Sequence, residues 1–399
     1  MKRQIISKLI ILFGWVVTAN AQNNTISTVF SDAEKQTNTM LQEIPKARNG
    51  NADLVSPRTL DKGELKMVAS KDWTSGFFPG QLWFLYEYTG KPVWRQQAES
   101  FTANIEKEKT NAGSHDMGFK VYCSFGTGYR LTKNTRYRDI IIDAAKTLSL
   151  RFNPVIGCIR SWDHHKERWG FPVIIDNMMN LELLFAATQL SGDSSFYKIA
   201  VSHANTTMKN HFRADRSSYH VVDYDTVTGK VIKKETYQGY ADESAWARGQ
   251  AWGLYGYTMC YRFTKNKKYL EQAEKIAAFI LNHRNLPADF VPYWDFNAPN
   301  IPNEERDASA AAVLASGLYE LSTYSKNGKL YKEKGDRIVA SLTNSYRSPV
   351  GENKGFILLH STGSKPAKSE VDVPLNYADY YYLEALLRSK KLKEKKKLI

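Results

Sequence analysis

Six short stretches hold most of the side chains in this sequence that can do chemistry. They are Asp72-Trp73-Thr74-Ser75-Gly76, His115-Asp116-Met117-Gly118-Phe119, Asp176-Asn177-Met178-Met179-Asn180, residues 239–250, Arg306-Asp307-Ala308-Ser309, and residues 374–379. Asp176 follows the apolar run Val173-Ile174-Ile175, a setting that raises a carboxyl pKa and suits a general acid. Asp116 lies between a histidine and a Met-Gly-Phe step, an odd place for an aspartate that only caps a helix. Asp72, Asp307 and Asp379 read equally well as ordinary N-caps. Trp73, Trp162, Trp246, Trp252 and Trp294 suit core packing one at a time, but several near one opening fit the stacking of sugar rings better. Met178-Met179 reads as packing.

These stretches need a scaffold that gathers them. A short pattern recurs along the chain: an aromatic or leucine, a Ser or Thr, a turn residue, then a charged start to another helix. It stands at Tyr88-Thr89-Gly90-Lys91, Leu131-Thr132-Lys133-Asn134, Leu190-Ser191-Gly192-Asp193, Phe263-Thr264-Lys265-Asn266 and Tyr324-Ser325-Lys326-Asn327-Gly328. Helical periodicity flanks each turn, as in Leu181, Leu184, Phe185 and Thr188. Five hairpins predict ten helices, and one more near Ser27–Glu43 and another near Tyr377–Arg388 can pair to close a ring. Twelve helices in six pairs predict an all-α fold, an (α/α)6 barrel in which no pair buries its apolar face alone. Alternate helices run the same way, so the six stretches converge at one mouth. Helix N-termini there present partial positive charge, which suits an anionic sugar. A small β-hairpin, Ser218–Tyr224 and Val231–Glu235, is inserted between the third and fourth pairs. It brings His220 and Gln238 either over the mouth as a lid or onto an outer surface.

Composition narrows the classes. The chain has 399 residues, 42% hydrophobic and 13% aromatic, enough for a large core and against disorder. Residues 1–21 read as a secretory leader: Lys2 and Arg3, an apolar stretch centred on Leu9 to Val17, then Ala19-Asn20-Ala21 for cleavage before Gln22. The apolar part is too short for a good transmembrane helix, and no later stretch approaches the ~20 apolar residues a span needs. No cysteine follows it to accept a lipid, so release into a periplasm is expected. The net charge of +14 gathers at the ends: the leader holds three basic residues and no acid, and Arg388–Ile399 holds seven basic residues and one acid. That distribution is weak support for a nucleic-acid partner, and no helix-turn-helix, phosphate loop or zinc pattern accompanies it. Cys123, Cys158 and Cys260 show no metal spacing and read as buried structural residues. No Pro/Gly/Ser-rich linker divides residues 22–390, which are expected to form a single catalytic domain, and residues 391–399 are a basic tail.

From about Asp72 to Tyr382 the motifs resemble the unsaturated glucuronyl hydrolases of glycoside hydrolase family 88. The likeness is carried by Trp-Thr-Ser-Gly-Phe-Phe-Pro-Gly at 73–80, His-Asp-Met-Gly-Phe at 115–119, Ile-Asp-Asn-Met-Met-Asn-Leu at 175–181, Trp-Ala-Arg-Gly-Gln-Ala-Trp at 246–252, Arg-Asp-Ala-Ser-Ala-Ala at 306–311 and Asn-Tyr-Ala-Asp-Tyr-Tyr at 376–381. The resemblance implies the (α/α)6 barrel and an unusual hydrolysis. Instead of attack at the anomeric carbon, the C4=C5 double bond left by a polysaccharide lyase is hydrated. Asp176 matches the general acid/base, and Asp116 the second carboxylate. Trp73, Trp162, His220, Gln238, Arg248 and Trp252, joined by His115, match residues that line the subsite for the unsaturated ring. Arg248 is expected to grip the uronate carboxylate with two hydrogen bonds. The region around Ser361, Ser364 and Lys365 corresponds to one that reads sulfate on the next sugar in some relatives, with a spacing that departs from the pattern.

The resemblance implies a substrate ending in an unsaturated uronic acid, with no cofactor, no metal, no nucleic acid and no membrane span. Monomer and homodimer both fit. Rival functions are an unsaturated rhamnogalacturonyl hydrolase acting on pectin fragments, an inverting glycosidase using Asp116 and Asp176 on saturated glycosides, and a non-catalytic periplasmic glycan-binding protein. The sequence does not choose the parent polysaccharide.

Overall fold

The recurring Ser/Thr turns decide where each helical pair bends. Thr89, Thr132, Ser191 and Thr264 donate back to the carbonyls of Leu85, Gly128, Ala187 and Cys260, at 2.7–2.8 Å. The same oxygens accept the backbone N–H two residues on, from Lys91, Asn134, Asp193 and Asn266. Asn134, Asp193 and Asn266 then cap the following helix with their own side chains. The chain reverses through a left-handed residue at Gly90, Lys133, Gly192 and Lys265, with φ of 69°, 57°, 79° and 56°. Glycine does this freely; at the two lysines it costs roughly 1 kcal/mol.

The computed structural model describes residues 5–398, with side chains from Ile26 onward. Its helices are α1 (Ile5–Arg48), α2 (Phe77–Thr89), α3 (Pro92–Ala103), α4 (Thr127–Thr132), α5 (Thr135–Ser149), α6 (Asn177–Ser191), α7 (Ser194–Asn210), α8 (Ala247–Thr264), α9 (Lys267–Asn282), α10 (Ala308–Leu321), α11 (Gly328–Ser345) and α12 (Asn376–Lys393). A π-helical stretch, Gly118–Gly126, leads into α4. The even-numbered helices form an inner ring that closes on itself, α2 to the π-helical segment, then α6, α8, α10, α12 and back to α2. The odd-numbered helices pack outside it, with α1 against α2 and α12.

Sequence dictates that division. Every residue of α10 is buried, as are Ala247–Cys260 of α8, so these helices must be enclosed on all sides. Helix α9 buries Tyr269, Ala273, Ile276, Ala277 and Ile280, one stripe at helical spacing, and turns its other face outward. Each fully buried large apolar side chain of the inner ring adds roughly 1.5–3 kcal/mol. The two concentric rings make an (α/α)6 barrel.

Three short sheets decorate it. Strands β1 (Leu54–Asp61) and β2 (Glu64–Ala69) pair antiparallel about Lys62-Gly63, both with positive φ, a hairpin that the sequence reading did not anticipate. Strands β3 (Phe152–Asn153) and β4 (Cys158–Ile159) form a second small pair. The expected inserted hairpin is present as β6 (Val221–Tyr224) and β7 (Val231–Glu235), but a third strand, β5 (Pro172–Ile174), pairs with β6. That strand runs straight into Asp176.

Lys2 and Arg3 of the expected leader lie outside the described residues. Among the described residues, no helix is long and apolar enough to cross a membrane. The three cysteines are free and buried. Helix α12 continues to Lys393, into the segment read as a tail, and Lys391 there pairs with Glu87 at 2.8 Å.

Candidate active site

Asp176 reaches the mouth of the barrel from β5. The Ile175 N–H bonds the His220 carbonyl at 3.1 Å, and the chain then turns into α6. Asp176 is the residue before that helix, yet its backbone is already helical (φ −55°, ψ −28°) and its side chain caps nothing. The carboxyl is left facing the cleft, with Oδ2 buried and without a hydrogen-bond partner. Burial pushes its pKa up to about 7; Arg248 opposes the rise and Asp116 adds to it. Such a carboxyl holds a proton near neutral pH and can donate it.

Asp116 sits just ahead of the π-helical segment, a backbone irregularity frequent at functional sites. The Ser114 hydroxyl donates to Asp116 Oδ2 at 2.5 Å, and His115 Nε2 lies 3.2 Å from Oδ1. Burial lowers the pKa of His115, so its imidazole is neutral. The segment is held close to α6: the Phe119 N–H donates to Asn180 Oδ1, and a Cβ on Gly118 would stand 2.7 Å from Asn180 Cα. Glycine at 118 is what allows this approach.

His220 comes from the start of β6. Its Nδ1 accepts the backbone N–H groups of Tyr237 and Gln238, at 3.1 and 3.2 Å, so the ring proton sits on Nε2. That nitrogen lies 3.7 Å from Asp176 Oδ2. Burial and then Arg248 depress its pKa to about 3, so it faces Asp176 as a neutral N–H. The inserted hairpin thus brings a buried His220 up to Asp176, while Val227 and Ile232 farther along it stay exposed on the surface.

Trp73, His115, Asp116, Trp162, Ile174, Asp176, Gln238 and Arg248 line one cleft. Trp73 rests against Phe119 and Tyr377, and Trp162 against Trp169, His220 and Tyr237; both are only half-buried, which leaves ring surface free. Trp252 departs from the expected subsite lining. It is fully buried behind the cleft between Phe119 and Tyr381, where its ring offers no stacking face. Trp246 and Trp294 are also buried.

Arg248, expected to grip a substrate carboxylate with two hydrogen bonds, lines the cleft and is already partly engaged by the protein. Arg248 Nη1 donates to Asp307 Oδ2 and to the Thr362 carbonyl, and Nη2 to the Gly363 carbonyl, each at 2.6 Å. The Nη1 arm is spent on the protein, whereas Nη2 keeps a second N–H beyond its bond to Gly363 and Nε has no partner. Gln238 Nε2 donates to the same Gly363 carbonyl at 3.1 Å. The segment 361–365 therefore lies at the rim of the cleft. Ser361 and Ser364 have buried hydroxyls without partners, whereas Lys365 is bound by Glu304 and Glu305. Sequence reasoning passed over Ser114 and the peptide of Gly363, gave Tyr377 no role of its own, and left Asp307 open; the Asp-Ala-Ser at 307–309 was the one signal available for the last.

The match to the Glycosyl Hydrolase Family 88 model covers residues 52–282, which include the catalytic-candidate aspartates and most of the cleft. The unsaturated glucuronyl hydrolase of Formosa agariphila is 54% identical over 327 residues, 82% of each chain. An unsaturated chondroitin disaccharide hydrolase of Streptococcus pneumoniae is 33% identical, over 84% of this chain and 86% of its own length. The crystal structure of an unsaturated glucuronyl hydrolase specific for heparin superposes with a TM-score of 0.85 at 48% identity, covering 91% of this chain and 98% of that one. The motifs around Asp116, Asp176 and Arg248 thus stand in a barrel of shared shape and extensive shared sequence, and the chain belongs to glycosyl hydrolase family 88.

Proposed function

We propose that this enzyme releases the 4,5-unsaturated uronic acid from the non-reducing end of lyase-made glycosaminoglycan oligosaccharides by hydrating the C4=C5 bond. The observation that carries this reading is the state of Asp176: a buried helix-start carboxyl, free of capping duty, protonated near neutral pH, beside a second carboxylate. Asp176 gives its proton to C4, which leaves positive charge at C5. A water adds at C5, and the ionised Asp176 takes up that water's proton. The resulting hemiketal opens by breaking the bond between C5 and the ring oxygen; C5 becomes a ketone and C1 a hemiacetal. The hemiacetal collapses to an aldehyde and expels the rest of the chain as an alcohol. Asp116, fixed by Ser114, orients the ring, and the neutral N–H of His220 steadies Asp176 as it ionises.

The likeness to an unsaturated chondroitin disaccharide hydrolase and to a glucuronyl hydrolase specific for heparin supports a glycosaminoglycan origin. On this reading the segment 361–365, which Arg248 and Gln238 hold beside the cleft, meets the next sugar. Its one cation, Lys365, is neutralised by two glutamates, which supports turnover that does not depend on sulfate there. The leader-like composition of residues 1–21 supports export to the periplasm, checked by the N-terminal sequence of protein recovered from that compartment.

The test follows the ultraviolet absorbance of the conjugated double bond during reaction with unsaturated disaccharides. Decay with wild type and persistence with Asp176→Asn are expected. Persistence of the band with wild type on glucuronyl and galacturonyl substrates alike sinks the proposal, as does turnover of saturated glycosides instead.

A further inference from the structure

Arg248 stands near the start of α8, 1% exposed, its guanidinium 4.6 Å from the Trp246 ring and 5.3 Å from that of Tyr377. Asp307 is fully buried and divides its two oxygens. Oδ1 accepts the Ser309 N–H at 3.0 Å, the Ser309 hydroxyl at 2.5 Å and the Ala310 N–H at 3.3 Å, which starts α10. Oδ2 takes Arg248 at 2.6 Å. Arg248 in turn holds the carbonyls of Thr362 and Gly363, and Gln238 holds Gly363 as well. One buried ion pair thus joins the ring site to the 361–365 segment.

We propose that Asp307 is a positioning residue for the reaction: it fixes Arg248 and the 361–365 segment in one arrangement and balances the charge that Arg248 presents to Asp176.

The groups around this pair make the consequence definite. Asp176 is faced by Asp116 from ahead of the π-helical segment, by neutral His220 from β6 and by Arg248 from α8. Arg248 is faced by Asp307 from α10, Tyr377 from α12 and Asp176 itself. Arg248 is the cation of the set, and Asp307 is the carboxylate bonded directly to it. Without the charge of Asp307, Arg248 acts on Asp176 unopposed, and Asp176 releases its proton at lower pH. The guanidinium also loses the charged partner that fixes it while it holds the Thr362 and Gly363 carbonyls.

This inference rests on Asp176 as the proton donor. The test compares wild type, Asp307→Asn and Asp176→Asn, measuring kcat/KM against pH on two unsaturated disaccharides that differ only in the second sugar, with thermal melts of each. Asn caps a helix as well as Asp does, so Asp307→Asn removes charge while keeping the start of α10. If that variant does not fold, Asp307→Ser, another strong cap, gives the same readout. Expected is a folded Asp307→Asn whose alkaline limb moves toward acid by about one pH unit. A fall in kcat/KM of roughly 10- to 100-fold and an altered preference between the two disaccharides should accompany it. An unchanged limb and preference, with Asp176→Asn inactive, overturns the role of Asp307 alone. An active Asp176→Asn overturns both assignments.

Discussion

Asp176 and Asp307 both stand immediately before an inner helix at the same mouth, α6 and α10, and their carboxyls are engaged in opposite ways. The backbone decides which. Asp307 has extended-type dihedrals (φ −125°, ψ 90°), which let a cap side chain fold back onto the first turn, and it captures the N–H groups of Ser309 and Ala310. Asp176 is already helical, so its side chain cannot reach back and points into the cleft. Asp379 sharpens the lesson. Burial pushes its pKa up to about 7 as well, but the Ile357 and Leu358 N–H groups hold its carboxyl away from the cleft. A raised pKa marks chemistry only where the group also has nothing structural to do.

Breaking that contrast at Asp176 should give the largest effect. Asp176→Asn is expected to lower kcat by roughly 100- to 10,000-fold, with the thermal midpoint of wild type or higher because no cap is lost. The sign of the pH dependence follows from the raised pKa. In the folded protein Asp176 binds its proton more tightly than in the unfolded chain, so its contribution to stability is complete below pH ~4 and is lost as pH rises through about 7. The stability of Asp176→Asn relative to wild type should therefore improve between those limits, by at most about 4 kcal/mol. A melt series that shows the gap constant from pH 4 to 8 excludes the raised pKa. Activity of wild type should fall on the alkaline side as Asp176 ionises.

The reverse experiment is Asp307→Ala. It removes the cap and leaves Arg248 buried without its carboxylate, a loss of about 3–5 kcal/mol expected in urea unfolding. A variant as stable as wild type would show that the ion pair contributes nothing to holding α8, α10 and the rim together.

How far these roles could be read without coordinates differs between scaffold and site. Four of the five Ser/Thr turns were legible because the hydroxyl acts within four residues of itself, as Thr264 does with Cys260 and Asn266; Ser325 instead donates to Glu274, 51 residues away. Strand β1 was not, because Pro57 and the irregular pairing around it break the alternation that marks a strand. Strand β5 is three residues long, too short to carry a pattern. The six stretches were read as converging, and seven of the side chains singled out do line one cleft. The engagement of Arg248 was invisible, because its partners lie 59, 114 and 115 residues away in the chain. Residue type tells that an arginine can clamp a carboxylate; only the fold tells which carboxylate has already claimed it.

Between these extremes, Trp162 tests the cleft's rim. Its exposed ring face should support the substrate without touching the proton transfer, so Trp162→Ala is expected to raise KM by about 3- to 10-fold, with kcat less affected. Steady-state kinetics on an unsaturated disaccharide give both parameters. An equal fall in kcat at unchanged KM would place Trp162 in the transition state instead.

The smallest effect is expected at Lys365, and it follows from the same principle that separates the two aspartates. A side chain fully engaged within the protein is not free for substrate. Lys365 lies over the Trp294 ring, 5.6 Å from its centre, and is paired with Glu304 at 2.6 Å and with Glu305. Releasing it to bind a sulfate would leave two carboxylates near an incoming anion, which cancels the attraction. Lys365→Ala should thus change kcat/KM on an unsulfated disaccharide by less than about 3-fold, and should lower activity on a sulfated one further, because Glu304 and Glu305 are then unmasked. The informative companion is Glu305→Gln, which frees the lysine: a gain on sulfated disaccharide alone would show that this ion pair sets the tolerance for sulfate at the rim. Equal rates on both disaccharides in both variants would instead put the next sugar's sulfate out of reach of Lys365.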